Sequence, residues 1–98
     1  MVGIELHDAT GGGIVIQGNT FRYISYTSIW AYGVFPGGPI WITMNNFMDN
    51  PFNGHAISDD FFTNVFWDQN FWEGIVGPYI PTGCVTQGDY NPAPAPWP

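Results

Sequence analysis

The sequence predicts an all-β protein, and three observations carry that expectation. Residues that favour strands (Ile, Val, Thr, Phe, Tyr, Trp) number 41, against 12 for Ala, Leu, Met, Glu, Arg and Lys together. Thirteen glycines and nine prolines supply the bends that many short strands require. Three segments repeat one another without gaps: Ile14–Phe21, Ile40–Phe47 and Asn64–Phe71. Each runs from apolar alternation into an amide-rich turn and then a phenylalanine, and the phenylalanines at 21, 47 and 71 stand 26 and 24 residues apart. A period of that length with two-residue alternation describes a solenoid, in which each pass of chain stacks on the last.

Taken in order, Val2–Leu6 reads as a short strand, and Gly11-Gly12-Gly13 ends a lead-in or irregular first coil covering residues 1–13. The repeats fill residues 14–77, with strands expected near Ile14–Gln17, Ile40–Thr43 and Val65–Trp67. In this alignment Ile16, Ile42 and Phe66 form one column, and Asn19, Asn45 and Gln69 another. Asn at a bend tolerates left-handed backbone, and its amide both donates and accepts along a stack. Gly33–Pro39 reads as a loop protruding between the first two repeats. Residues 78–98 form a Pro-rich extension, six of 21 residues being proline, and its end from Asn91 suits a polyproline-II tail anchored by Trp97.

The phrases Gly18-Asn19-Thr20-Phe21, Asn45-Asn46-Phe47 and Gln69-Asn70-Phe71-Trp72-Glu73-Gly74 resemble the turns of the right-handed parallel β-helix family, which includes pectate lyases, polygalacturonases and bacteriophage tailspikes. The resemblance spans residues 14–76 and implies a short right-handed parallel β-helix of about three coils. It is shared by enzymes and inert structural proteins, so it implies no single activity.

Composition excludes several functions. Charged residues make up 9% of the chain, lysine is absent and Arg22 is the only arginine, giving a net charge of −7. A basic footprint for nucleic acid or anionic lipid cannot be built from one cation. No apolar run approaches the ~20 residues of a membrane-spanning helix. Cys84 is the single cysteine, which excludes an intrachain disulfide or a paired-cysteine metal site. The first residues, Met1-Val2-Gly3-Ile4-Glu5, lack the basic start of a secretory signal.

The most enzyme-like group is Asp59-Asp60 with His55 four residues before, since glycoside hydrolysis uses paired carboxylates. Adjacent strand residues point to opposite faces, however, which favours a solvated turn over a catalytic pair. In the resembled polygalacturonases the double aspartate precedes a Gly-His motif and cations follow. Here Gly54-His55 comes first and lysine is missing. A pectate-lyase role for Arg22 loses to a surface ion pair or a contact with Tyr23. Asp49 and Glu73 align across the last two repeats and are the candidates for a calcium site, with solvated turn acids the favoured reading. Neither a catalytic site nor a cofactor is expected.

Trp30, Tyr32, Trp41, Trp67, Trp72 and Trp97 are the candidate binding or interface residues, more suited to burial against a partner chain than to stacking on sugar rings. The expectation is a homo-oligomeric structural virion protein, a decoration, fibre or tail-tip component with three copies favoured. Its partners would be copies of itself and other virion proteins. The alternatives are a carbohydrate-binding or carbohydrate-active β-helix, extracellular rather than on a virion, and a non-viral surface or filament subunit.

Overall fold

A computed structural model describes residues 2–7, 13–32, 40–50, 56–58, 65–82 and 88–98. Among them there is no helix, and nine short strands follow one another: β1 (Val2–His7), β2 (Ile14–Gln17), β3 (Thr20–Arg22), β4 (Thr27–Tyr32), β5 (Ile40–Thr43), β6 (Asn46–Met48), β7 (Ala56–Ser58), β8 (Val65–Asp68) and β9 (Phe71–Trp72). The protein is all-β, as its composition requires.

The strands form three separate three-stranded sheets, in the orders β1-β4-β7, β2-β5-β8 and β3-β6-β9. Every neighbouring pair is parallel. Each of β1 to β6 therefore pairs with the strand three places later, and the chain visits the three sheets in the same sequence three times. We refer to β1–β3, β4–β6 and β7–β9 as the first, second and third tiers. The resemblance to the right-handed parallel β-helix family is corrected here, because the strands are divided among small separate sheets and do not make a single right-handed β-helix. The turn phrases that carried it arise wherever short parallel strands meet at a tight corner, so they mark the corner and not the family.

The corners explain why the sheets are separate. Between β2 and β3, β5 and β6, and β8 and β9 stand two residues each, Gly18-Asn19, Met44-Asn45 and Gln69-Asn70. The first of each pair has a left-handed backbone, with φ of 73°, 55° and 57°. A second left-handed column follows β3, β6 and β9 at Tyr23, Asp49 and Gly74, with φ of 57°, 53° and 80°. One left-handed residue turns the chain sharply without continuing either strand. Glycine takes this conformation freely and Asn or Asp tolerates it, while a residue such as Met44 or Gln69 pays roughly 1–2 kcal/mol.

Gln69→Gly should therefore stabilise the protein by about 0.5–1 kcal/mol after glycine's own entropy cost, raising the melting temperature by about 2–8 °C. Thermal denaturation checks this, and a lower melting temperature would contradict a left-handed Gln69.

Asparagine follows the left-handed residue in all three corners because its amide bonds up and down the stack. The Asn45 Oδ1 accepts from the Asn19 N–H at 3.0 Å and from its Nδ2 at 3.2 Å. Asn45 Nδ2 donates to the Ile16 carbonyl and to Asn70 Oδ1, and the Asn45 N–H also donates to Asn70 Oδ1. Asn70 Nδ2 donates to the Ile42 carbonyl at 2.8 Å. Asn45 and Asn70 are fully buried, so every one of these bonds satisfies a group that water cannot reach.

The third member of this column is Asn70 and not Gln69. The β5–β8 register pairs Ile40 with Val65 and Ile42 with Trp67, one residue away from the sequence alignment. A one-residue shift exchanges the two faces of a strand. It places Val65 and Trp67 inside and Phe66 outside, where the alignment had put Phe66 in the core column. It also replaces Phe71 by Trp72 in the aromatic column. Phe21 and Phe47 stack at 5.0 Å, Phe47 and Trp72 at 4.1 Å, and Trp72 and Tyr79 at 4.0 Å between ring centroids. Ile16, Ile29, Ile40, Ile42, Ala56 and Val65 complete the core.

The C-terminal segment is built into the fold. Tyr79 ends the aromatic column, and its hydroxyl donates to the Ala56 carbonyl and accepts from the Ala56 N–H. Thr82 N–H donates to the same carbonyl. Tyr79 and Asp89 form an antiparallel bridge. Beyond it, Asn91 accepts from Gln69 N–H, and Ala93 N–H donates to the Asn70 carbonyl.

Candidate functional site

The outward side chains of the β2-β5-β8 sheet make the clearest surface feature among the described residues. Alternation along each strand turns every second residue away from the core, and the parallel register stacks like positions. Val15, Trp41 and Phe66 form one outward column, and Gln17, Thr43 and Asp68 a second, two residues further along the strands. Val15 is 61%, Trp41 42% and Phe66 43% exposed. The Trp41 and Phe66 rings stack on each other, centroids 4.6 Å apart and 23° from parallel. Gln17 Nε2 reaches Met44 Sδ at 3.9 Å, which holds its amide along the same face.

Of the other aromatic candidates, Trp67 and Trp72 are corrected from surface to core, being 4% and 2% exposed. The register shift is the reason, since it turns both inward. Trp72 Nε1 donates to Asp89 Oδ2 at 2.9 Å. Trp30 is half-buried and meets Tyr26 edge-on at 5.6 Å. Tyr32 pairs through its backbone with His7, while its side chain lies outside the described residues. Trp97 is partly buried and anchors the tail: its Nε1 donates to the Gln69 carbonyl, its N–H to Asn46 Oδ1, and its carbonyl accepts from Asn46 Nδ2.

The carboxylate candidates are placed as follows. Asp49 Oδ2 accepts from Arg22 Nη2 at 2.7 Å and Nε at 2.9 Å. This hydrogen bond, with the charge behind it, holds the Arg22 guanidinium above its ordinary pKa. Arg22 also lies 5.6 Å from the centre of the Tyr23 ring. Glu73 Oε1 accepts from the Asp49 N–H at 2.9 Å. The two acids are thus adjacent in the stack, but one oxygen of Asp49 faces a guanidinium and one of Glu73 fixes a corner. No group of three metal-ligating side chains occurs among the described residues. Asp59, Asp60, His55 and Cys84 lie outside the described residues.

Two polar residues with structural roles were not singled out by sequence. Asn50 Oδ1 accepts from Ile24 N–H, and its Nδ2 donates to the Phe21 carbonyl and Ser28 Oγ, fixing the passage from β3 to β4. Asp89 is fully buried, and its Oδ2 accepts from Asn70 N–H, Asn70 Nδ2 and Trp72 Nε1. Its Oδ1 accepts from Asn91 N–H. Asp89 thus stands where a fourth asparagine of the ladder would, a position with no repeat around it to reveal it.

No protein-family model, no curated protein sequence and no solved structure matches this chain.

Proposed function

We propose that the chain is a structural subunit, without catalysis of its own, that joins another protein chain through its first tier inside a larger particle such as a virion. The observation that supports this reading is the difference between the two ends of the stack. On the third tier, the chain's own C-terminal segment meets β7 through Thr82 and the β8–β9 corner through Asn91 and Ala93. On the first tier, β1, β2 and β3 each pair on one side only among the described residues. Strand edges of this kind are templates for pairing with another chain.

Ile16 and Phe21 are already buried in the first tier, so docking uses backbone edges and not an open core. Charge supports the same end. Residues 2–22 carry Glu5, Asp8 and Arg22, a net −1, while the remaining six acids and −6 lie further along the chain. Of these, Asp49, Asp68, Glu73 and Asp89 follow or lie on strands of the second and third tiers, so joining first tiers keeps these acids of two chains apart.

Sedimentation at micromolar concentration tests the proposal, with a multimer of defined size expected. Thr20→Lys, on the exposed edge of β3, should shift the equilibrium toward monomer, because a charged lysine on a strand edge opposes pairing. A monomer at every concentration would sink the proposal.

A further inference from the structure

The outward face of the β2-β5-β8 sheet has no task in the edge-to-edge association just described. We infer that it is a binding surface for a neutral glycan, with sugar rings lying against Trp41 and Phe66 and hydroxyls meeting Gln17, Thr43 and Asp68.

Size argues against a protein partner there. Three strands about 4.8 Å apart and four residues long at about 3.3 Å each cover roughly 10 by 13 Å. That is a small fraction of the about 800 Å² per partner in a stable protein interface. The face also offers side chains only, since the backbone groups of β5 are committed to β2 on one side and β8 on the other. Strand addition is open only at the β2 and β8 edges and not on this face, so a ligand lying on the face must be recognised by side-chain chemistry alone.

That chemistry is two parallel columns, one apolar and one of amide, hydroxyl and carboxylate groups. A pyranose has the matching division, with C–H faces beside hydroxyl edges. The Trp41–Phe66 pair is stacked and Val15 stands on the other side of Trp41, so the ring face turned away from the column is that of Phe66, with the exposed edge of Trp41 beside it. Phe66 lies on β8, the last strand of its sheet, and no described strand pairs beyond it. Charge selects among glycans. The face carries Asp68 and no cation, on a chain of net charge −7, so a uronate or sulfated polymer would be repelled.

The test is titration calorimetry of the full chain with maltoheptaose, cellohexaose and mannohexaose, with polygalacturonate as the charged comparison. Saturable binding of at least one neutral oligosaccharide is expected, weakened about tenfold by Phe66→Ala and again by Trp41→Ala. Both side chains are more than two-fifths exposed, and unchanged circular dichroism and melting would show that the variants remain folded. Thr43→Val, which removes a hydroxyl at nearly constant volume, should weaken binding without altering sedimentation. The inference is overturned by no binding of any neutral oligosaccharide at millimolar concentration, by preferential binding of polygalacturonate, or by Phe66→Ala dissociating a multimer while sugar binding persists. Failure of the edge association leaves these readouts intact, because Phe66 and Trp41 lie outside the first tier.

Discussion

Phe47→Ala is expected to destabilise the protein by about 3–5 kcal/mol. Phe47 is fully buried and sits between Phe21 and Trp72 in nearly parallel stacks, so truncation removes two ring contacts and opens a cavity in mid-column. The cavity cannot collapse easily. Phe21 and Trp72 are held by their strands, which pair with β6 on either side at the same register as Phe47 itself. A domain of this size has a total stability of about 5–15 kcal/mol, so the variant should melt far earlier or fail to fold at 37 °C. Urea denaturation of Phe47→Leu, which retains most of the volume, should give a smaller loss and keep the measurement within range. A loss below about 1 kcal/mol for the alanine variant would mean that the column does not exist as described.

This column also shows how far the sequence can be read. Phe21 and Phe47 are identifiable as stacked because the eight-residue segments that they end align without gaps at an offset of 26. The third partner was misassigned, since an aromatic occurs at both 71 and 72 and amides occur at both 69 and 70. Sequence similarity favoured matching Phe with Phe and a step of 24. Packing favours 25, which buries Val65 and Trp67 together where the alternative would bury Phe66. The same shift decides which tryptophans reach the surface: Trp41 was placed outward correctly, whereas Trp67 and Trp72 were not. Phe66 was missed as a surface residue for that reason.

The ends of the stack were less legible than its middle. A stack of three tiers has two ends, and the Pro-rich segment covers part of the one at the third tier. Composition suggested a tail with an aromatic anchor, and Trp97 is that anchor. What composition does not encode is the partner of each tail group. Asn46 binds Trp97 from 51 residues away, and the Asn70 and Gln69 backbones meet Ala93 and Asn91. Such contacts leave no periodic trace because each occurs once.

Asp89 is the joint between ladder and tail, and Asp89→Ala should cost roughly 3–5 kcal/mol. Substitution leaves the Asn70 N–H, Asn70 Nδ2 and Trp72 Nε1 without their shared acceptor, and the Asn91 N–H without its own. An unsatisfied buried donor costs about 1–3 kcal/mol, and water entering the vacated space recovers part of the total. Asn70 still donates to the Ile42 carbonyl and accepts from Asn45, so the upper ladder should persist while the tail loosens. Limited proteolysis should then release residues beyond Tyr79 before the three tiers unfold. Asp89→Asn separates hydrogen bonding from charge. Its Oδ1 can replace the accepting Oδ2, but its Nδ2 would face the Asn91 N–H, donor against donor, so a loss of about 1 kcal/mol is expected. If alanine and asparagine were equally harmful, the carboxylate's charge would be what holds the tail. If neither changed urea stability or protease sensitivity, Asp89 would not terminate the ladder.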